Sequence, residues 1–313
     1  MVARRVSIGL MVLGAGIVSG QDYPNRPIRI ITGAPGGGGD LATRLIAQGL
    51  TQSMGQPVVV DNRGNLAGEI ASKAPPDGYS VLIEGASFWL ASLLQKTPYD
   101  AVRDFSPLTL AASTPNVLVV HPSVTAISVR DLIELAKASP KALNYASSGT
   151  GGSAHLSAEL FKSMAGVDIV HVPYKGTGAA LNSLIGGEAQ LMFSNAASVT
   201  PHVRSGRLRA LAVTSAERSR MFPDLPTVAA SGLPRYEALQ ILAAFVPAKT
   251  PPALINRLNR EIVQVLKKDD TKEKFFSAAL ETVGSSPEEL AATIKSEIAK
   301  WGKVIKDAGI REE

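Results

Sequence analysis

Cysteine is absent from the 313 residues. That excludes disulfides, thiolate metal sites, a cysteine nucleophile and a lipid anchor on cysteine. No run of basic residues occurs, so the electrostatic footprint of a nucleic-acid binder is missing. Beyond the first twenty residues no stretch is long and apolar enough to span a bilayer. No Gly-Lys-Ser or Gly-Lys-Thr follows a glycine loop at phosphate-loop spacing. The four histidines, His121, His155, His171 and His202, show no pairing at metal-ligand spacing. "SSGTGGS" is not the Gly-x-Ser-x-Gly nucleophile elbow, which argues against a hydrolase built on His155.

What is present is a core-forming sequence. Hydrophobic residues make up 45%, and the length suits one large domain or two ordinary ones. The chain opens on MVARRVSIGLMVLGAGIVSG. Arg4 and Arg5 precede an apolar stretch from Val6 to Val18, with Val18 and Gly20 at −3 and −1 of a cleavage position. This is the layout of a secretory signal peptide over residues 1–20. Removing its two arginines from the 32 basic residues leaves 30 against 27 acidic ones, a nearly neutral surface. A soluble periplasmic protein is expected.

Short apolar runs alternate with amphipathic helices, which predicts an α/β fold. "PIRIIT" reads as a first strand, and "ITGAPGGGGDLATRLI" carries four glycines, Gly36–Gly39, into a helix over 40–54. Asp40 can cap that helix and Gly55 can end it. "PVVVD" and "SVLIEG" read as further strands, as does "NVLVVHP". A second unit repeats the opening logic. In "ALNYASSGTGGSAHLSAELFKSMAG" a strand meets a Gly/Ser loop and a helix, with Ser153 as the expected cap and Gly166 as the stop. Helix N-termini carry free N–H groups and partial positive charge, so paired loops of this kind suit an anion. One competing reading stays open. Gly37-x-Gly39-x-x-Ala42 with Asp61 about twenty residues on matches most of a dinucleotide fingerprint, and would make the chain an enzyme.

Several motifs then resemble one family in order as well as content. They include "YPNRPIRIITGAPGGGGD", "PVVVDNR", "PPDGYSVL", "LNYASSGTGGSAHLSAELF", "VHVPYKGTGAAL", "RSGRLRALAVTSAERS" and "TPPALINRLN". The chain resembles the substrate-binding proteins of tripartite tricarboxylate transporters, the Bug or TctC-like family. The resemblance implies a two-domain periplasmic-binding-protein architecture of type II, a Venus flytrap with two hinge strands near 116–122 and 237–246. Domain 1 would comprise 21–122 plus 236–313, and domain 2 would comprise 123–235. It implies a non-enzymatic monomer with no cofactor and no metal. That protein would hold a small carboxylate and deliver it to integral membrane transporter subunits, or else report it to a signalling sensor.

The implied ligand contacts are Ala34, Gly36, Gly37, Gly38 and Asp40 in the first loop. In the second they are Ser147, Ser148, Gly149, Gly151, Gly152 and His155. Tyr174, Lys175 and Gly176 come from "PYKGTG", and Ser87 and Asn195 complete the set. Each has a plainer reading as turn, cap or packing residue. Three departures from the family pattern stand out. The segment 64–75 is short. "IEGASFWLAS" brings Glu84, Phe88 and Trp89 where small hydroxyl residues are usual. Ser194 stands where an aspartate is common. Glu84 and the aromatics either restrict the pocket or face the core. In the pocket, Glu84 would favour a cationic or neutral group on the ligand.

Overall fold

The computed structural model describes residues 23–36 and 38–310. The expected signal peptide and the candidate contact Gly37 lie outside them. The first half opens with β1 (Ile28–Thr32), α1 (Gly38–Met54), β2 (Val58–Asn62), α2 (Ala67–Ser72), β3 (Ser80–Gly85) and α3 (Ser87–Leu94). A long strand, β4 (Phe105–Val120), leads into α4 (Val129–Ala138), β5 (Asn144–Ser147) and α5 (Ser153–Ala165). Then come β6 (Val170–Pro173), α6 (Thr177–Ile185), β7 (Leu191–Asn195), α7 (Ala196–Arg204) and β8 (Arg209–Val213). The chain returns through β9 (Leu239–Pro247) and ends in α8 (Pro252–Lys267), α9 (Asp269–Ser277), β10 (Glu281–Thr282) and α10 (Pro287–Asp307).

The described strands form a sheet in the order β2-β1-β3-β9-β4-β7-β5-β6, with β8 and β10 also paired to β4. It reads as two copies of one pattern. In the first, β1 lies between β2 and β3, all parallel, and β9 runs antiparallel beside β3. In the second, β5 lies between β6 and β7, again parallel, and β4 runs antiparallel beside β7. The loops that leave β1 and β5 therefore emerge where neighbouring connections diverge to either side. Such switch points leave open crevices at strand carboxyl ends.

Side-chain alternation sends each strand's residues to two layers. Ile28 and Ile30 pack with Ile46 and Leu50 of α1 and with Leu258 and Ile262 of α8. Ile31 and Leu82 belong to the opposite cluster, with Phe88, Trp89 and Trp301. In the second half, Leu118 and Tyr145 belong to that same cluster, while Val117 and Ala146 pack against α6 and α7. Helices thus cover both faces of the sheet.

The expected strand "NVLVVHP" is only the end of β4, which begins at Phe105. Its first part was not legible because Pro107 and Pro115 interrupt the apolar pattern. The register against β9 slips between Pro107 and Thr109 and again between Leu110 and Ala112. Bulges absorb a residue that cannot donate to the ladder. Gly55 and Gly166 follow their helices with positive φ, as expected. Ser153 does not cap α5. The cap position is Gly152, with no side-chain bond, and Ser153 Oγ accepts from Asn116 Nδ2 at 2.9 Å instead.

Candidate functional site

The first loop, after β1, is organised by Asp40. Its carboxylate accepts the Gly36 N–H at 3.0 Å, Asn62 Nδ2 at 2.9 Å and Arg44 Nε at 3.1 Å. Burial opposes its charge, but these hydrogen bonds outweigh that and hold its pKa below the usual carboxylate range. Gly36 has φ +89, and Gly36 and Gly38 are exposed. Asp40 serves as scaffold, bending the glycines over the start of α1. Asp61, the acidic residue of the dinucleotide pattern, is occupied by Arg29 and Arg63.

The second loop, after β5, is organised by Ser147. Its hydroxyl reaches the Gly149 carbonyl at 3.1 Å and His171 Nε2 at 2.7 Å. His155 supports the same loop from beneath: its Nδ1 accepts the Gly151 N–H at 2.9 Å. The His155 and His171 rings stack 4.0 Å apart, and His155 is buried. Burial, then the neighbouring His171, pushes the His155 pKa down to about 4. It is neutral at pH 7, as an acceptor at Nδ1 must be. The backbone of "PYKGTG" ties onto this loop, with Tyr174 N donating to Ser147 O and Gly176 N to Ser148 O.

The two loops meet around a cavity of about 450 Å³. Gly33, Ala34, Glu84, Ser87, Phe88 and Tyr99 line it from the first half, and Thr150, Gly151 and Gly152 from the second. A neighbouring cavity of about 270 Å³ is lined by Gly33, Ala34, Asp40, Glu84 and Gln240. Among the described lining residues of both there is no lysine, arginine or histidine. The N-termini of α3 and α5 open here, and neither carries a side-chain cap. Their first N–H groups are thus left for an anion.

Glu84 is the charged group facing both cavities. Burial, partly offset by the Gly85 N–H, pushes its pKa up to about 7. Its Oε1 is buried without a hydrogen-bond partner. Phe88 and Tyr99 stack with centroids 5.0 Å apart on the same wall. Gly68 of α2 abuts them, where a Cβ would come within 2.7 Å of the Tyr99 ring. Trp89, in contrast, faces the core at 1% exposure, against Phe245. The aromatic pair of the sequence reading thus divides between pocket and core.

Of the candidate contacts, Ala34, Ser87, Gly151 and Gly152 converge on the larger cavity. Ser148 and Gly149 lie in the same loop behind them, with Gly149 at φ +142. Lys175 and Gly176 are exposed, while the Tyr174 hydroxyl sits 2.5 Å from Ser183 Oγ. Asn195 caps α7 through its side chain, accepting from Ser198 N at 2.9 Å. Ser194 is buried, with no partner at its hydroxyl. Sequence reasoning missed Asn65, Gln95, Tyr99 and Thr150, which also line the cavity. Thr150 lay inside the quoted loop. Tyr99 carried no local signal, because only packing onto Phe88 brings it to the wall.

Comparison with known proteins shows the family and the architecture. Residues 42–310 match the family described as "Tripartite tricarboxylate transporter family receptor". The chain is 37% identical to the protein BugT of Bordetella pertussis over 315 residues, covering 97% of each chain. Among solved structures, it is similar to R. palustris Rpa4515 with adipate at 36% identity and a TM-score of 0.77, covering 93% of this chain and 99% of that one. MatC from Rhodopseudomonas palustris, with bound malate, gives 26% identity and a TM-score of 0.73, covering 90% and 100%. The architecture is that of a periplasmic solute-binding protein. With the matched span, the paired loops and these relatives together, the chain belongs to the tripartite tricarboxylate transporter receptors, the Bug or TctC-like family of periplasmic solute-binding proteins.

Proposed function

We propose that this protein is an extracytoplasmic receptor that binds a small carboxylate between its two halves and delivers it to membrane subunits of a tripartite transporter. One observation carries the reading: the loops that leave β1 and β5 meet around one cavity, onto which the uncapped N-termini of α3 and α5 open. An anion held there takes charge-assisted N–H bonds, each contributing on the order of 1.5–3 kcal/mol. A few of them support micromolar affinity without any lysine. The relatives seen with adipate and with malate support the ligand class. The moving units are 21–122 plus 236–313 and 123–235, hinged on β4 and β9, and the leader 1–20 directs export.

A thermal-shift screen of the exported protein against C3–C7 mono- and dicarboxylates and amino acids tests this. A ligand that binds only the folded state raises the melting temperature, by about 2.7 kcal/mol of stability at a hundred times Kd. Failure of every carboxylate at millimolar concentration to shift the transition would overturn the reading. Co-expression with the membrane subunits should give receptor-dependent uptake of the ligand found. Uptake that is unchanged without the receptor would remove the transport role.

A further inference from the structure

We propose that the ligand of this receptor is a carboxylate that also carries an ammonium group, and that Glu84 is the residue that selects it. The proposal rests on the receptor reading above and names the substrate class of that same cleft.

A dicarboxylate needs an anion cradle at both ends. The second half offers one, at Thr150 and Gly152 by the uncapped start of α5, facing Ser87 on α3, the Gly151 N–H being taken by His155. The first half places a carboxylate where the other should be. Glu84 Oε1 lies against the loop after β1, so close that a Cβ on Gly33 would come within 3.3 Å of it. A ligand carboxylate drawn to the Gly33–Ala34 backbone would meet a like charge. No described lysine, arginine or histidine lines either cavity to neutralise it. The other ionisable side chains there are Tyr99, whose phenol is pushed up by burial and by Glu84, and Asp40, whose charge is already met by Arg44, Asn62 and the Gly36 N–H.

An ammonium removes these conflicts. It gives the Glu84 carboxylate, which lines both cavities, a donor. Its counter-charge at the far end of the ligand stays on the α5 side. Empty, the cleft holds Glu84 with a pKa near 7. A bound ammonium favours the ionised form, so binding near neutrality releases protons from Glu84.

The test is titration calorimetry on the mature protein with a length-matched series. Glutarate, 5-aminopentanoate and glutamate serve as probes, in two buffers of different ionisation enthalpy. The wild type should bind an amino-carboxylate at least tenfold tighter than glutarate, with proton release at pH 7. Glu84→Gln, a near-isostere, should narrow that ratio at least tenfold and abolish the proton release. Tighter binding of glutarate by the wild type, or an unchanged ratio in Glu84→Gln, would overturn the proposal while leaving a carboxylate receptor intact. Binding of no carboxylate, amino or otherwise, would overturn the receptor reading and this inference with it. Circular dichroism of Glu84→Gln, compared with wild type, shows that a lost preference is not a lost fold.

Discussion

A half-buried glutamate in the cleft and a buried histidine beneath its second loop respond to pH in opposite directions. Glu84 has its folded pKa raised from 4.5 to about 7 by burial. The folded state then holds more protons than the unfolded chain between those values, so this group's contribution falls as pH rises. Glu84→Gln should therefore be more stable than wild type at pH 8, by on the order of 1–3 kcal/mol, and the gap should close towards pH 5. Urea midpoints at the two pH values check it, and an equal gap at both would refute the assigned cause. His155 is the mirror case, lowered from 6.5 to about 4 by burial and His171. Its contribution is complete above pH 6.5 and is lost as pH falls to about 4. The destabilisation caused by His155→Gln should be largest at pH 7 and shrink on acidification, measured by the same denaturation series. The sequence showed that His155 lies beside a glycine loop. It did not show that the ring points inward, because that depends on His171, sixteen positions on and on β6.

At the scale of elements, close approach decides more than propensity. Gly49 lies within α1, where alanine would ordinarily gain roughly 1 kcal/mol. A Cβ there would run into the Val265 side chain of α8, inside van der Waals contact. Overpacking costs about 1–3 kcal/mol, so Gly49→Ala should destabilise rather than stabilise. Val265→Ala in the same background should recover part of the loss, a coupling that a double-mutant cycle in urea would read. A stabilised Gly49→Ala would show that α1 and α8 are free to part. Capping was local and legible only in part: Asp40, expected to cap α1, lies inside that helix, which starts at Gly38. Ser128 caps α4, and Ser286 with Glu289 forms a reciprocal capping box on α10. Where a glycine took the cap instead, as at Gly152, the sequence favoured the neighbouring serine. The serine had been drawn away by Asn116 on β4.

At the scale of the molecule, the two halves touch across the cavity. Leu94 at the end of α3 sits so near Gly151 that a Cβ there would come within 2.6 Å of its Cδ1, and Gly151 has φ +76 besides. Gly151→Ala should hold the halves apart. Small-angle scattering of wild type should show the radius of gyration falling on ligand saturation, as expected for hinge closure. The contraction should be lost in Gly151→Ala and return in part in Gly151→Ala/Leu94→Ala. An unaltered contraction in Gly151→Ala would show that this contact does not gate closure.

The amino-acid sequence by itself determined the α/β class, the two strand–glycine-loop–helix units and the family. These are written in short-range patterns: apolar alternation, turn residues, and the ordered motifs between residues 23 and 260. It also marked Glu84, Phe88 and Trp89 as unusual. Only the tertiary structure decided what they do. Glu84 and Phe88 face the cavity and Trp89 the core. The reason is that α3 follows β3 directly, and a helix turns each successive residue by about 100°. Adjacent aromatics therefore look to different surroundings. Which of those is cleft and which is core depends on where β9, more than 150 residues later, inserts beside β3. No local pattern around residue 84 carries that information.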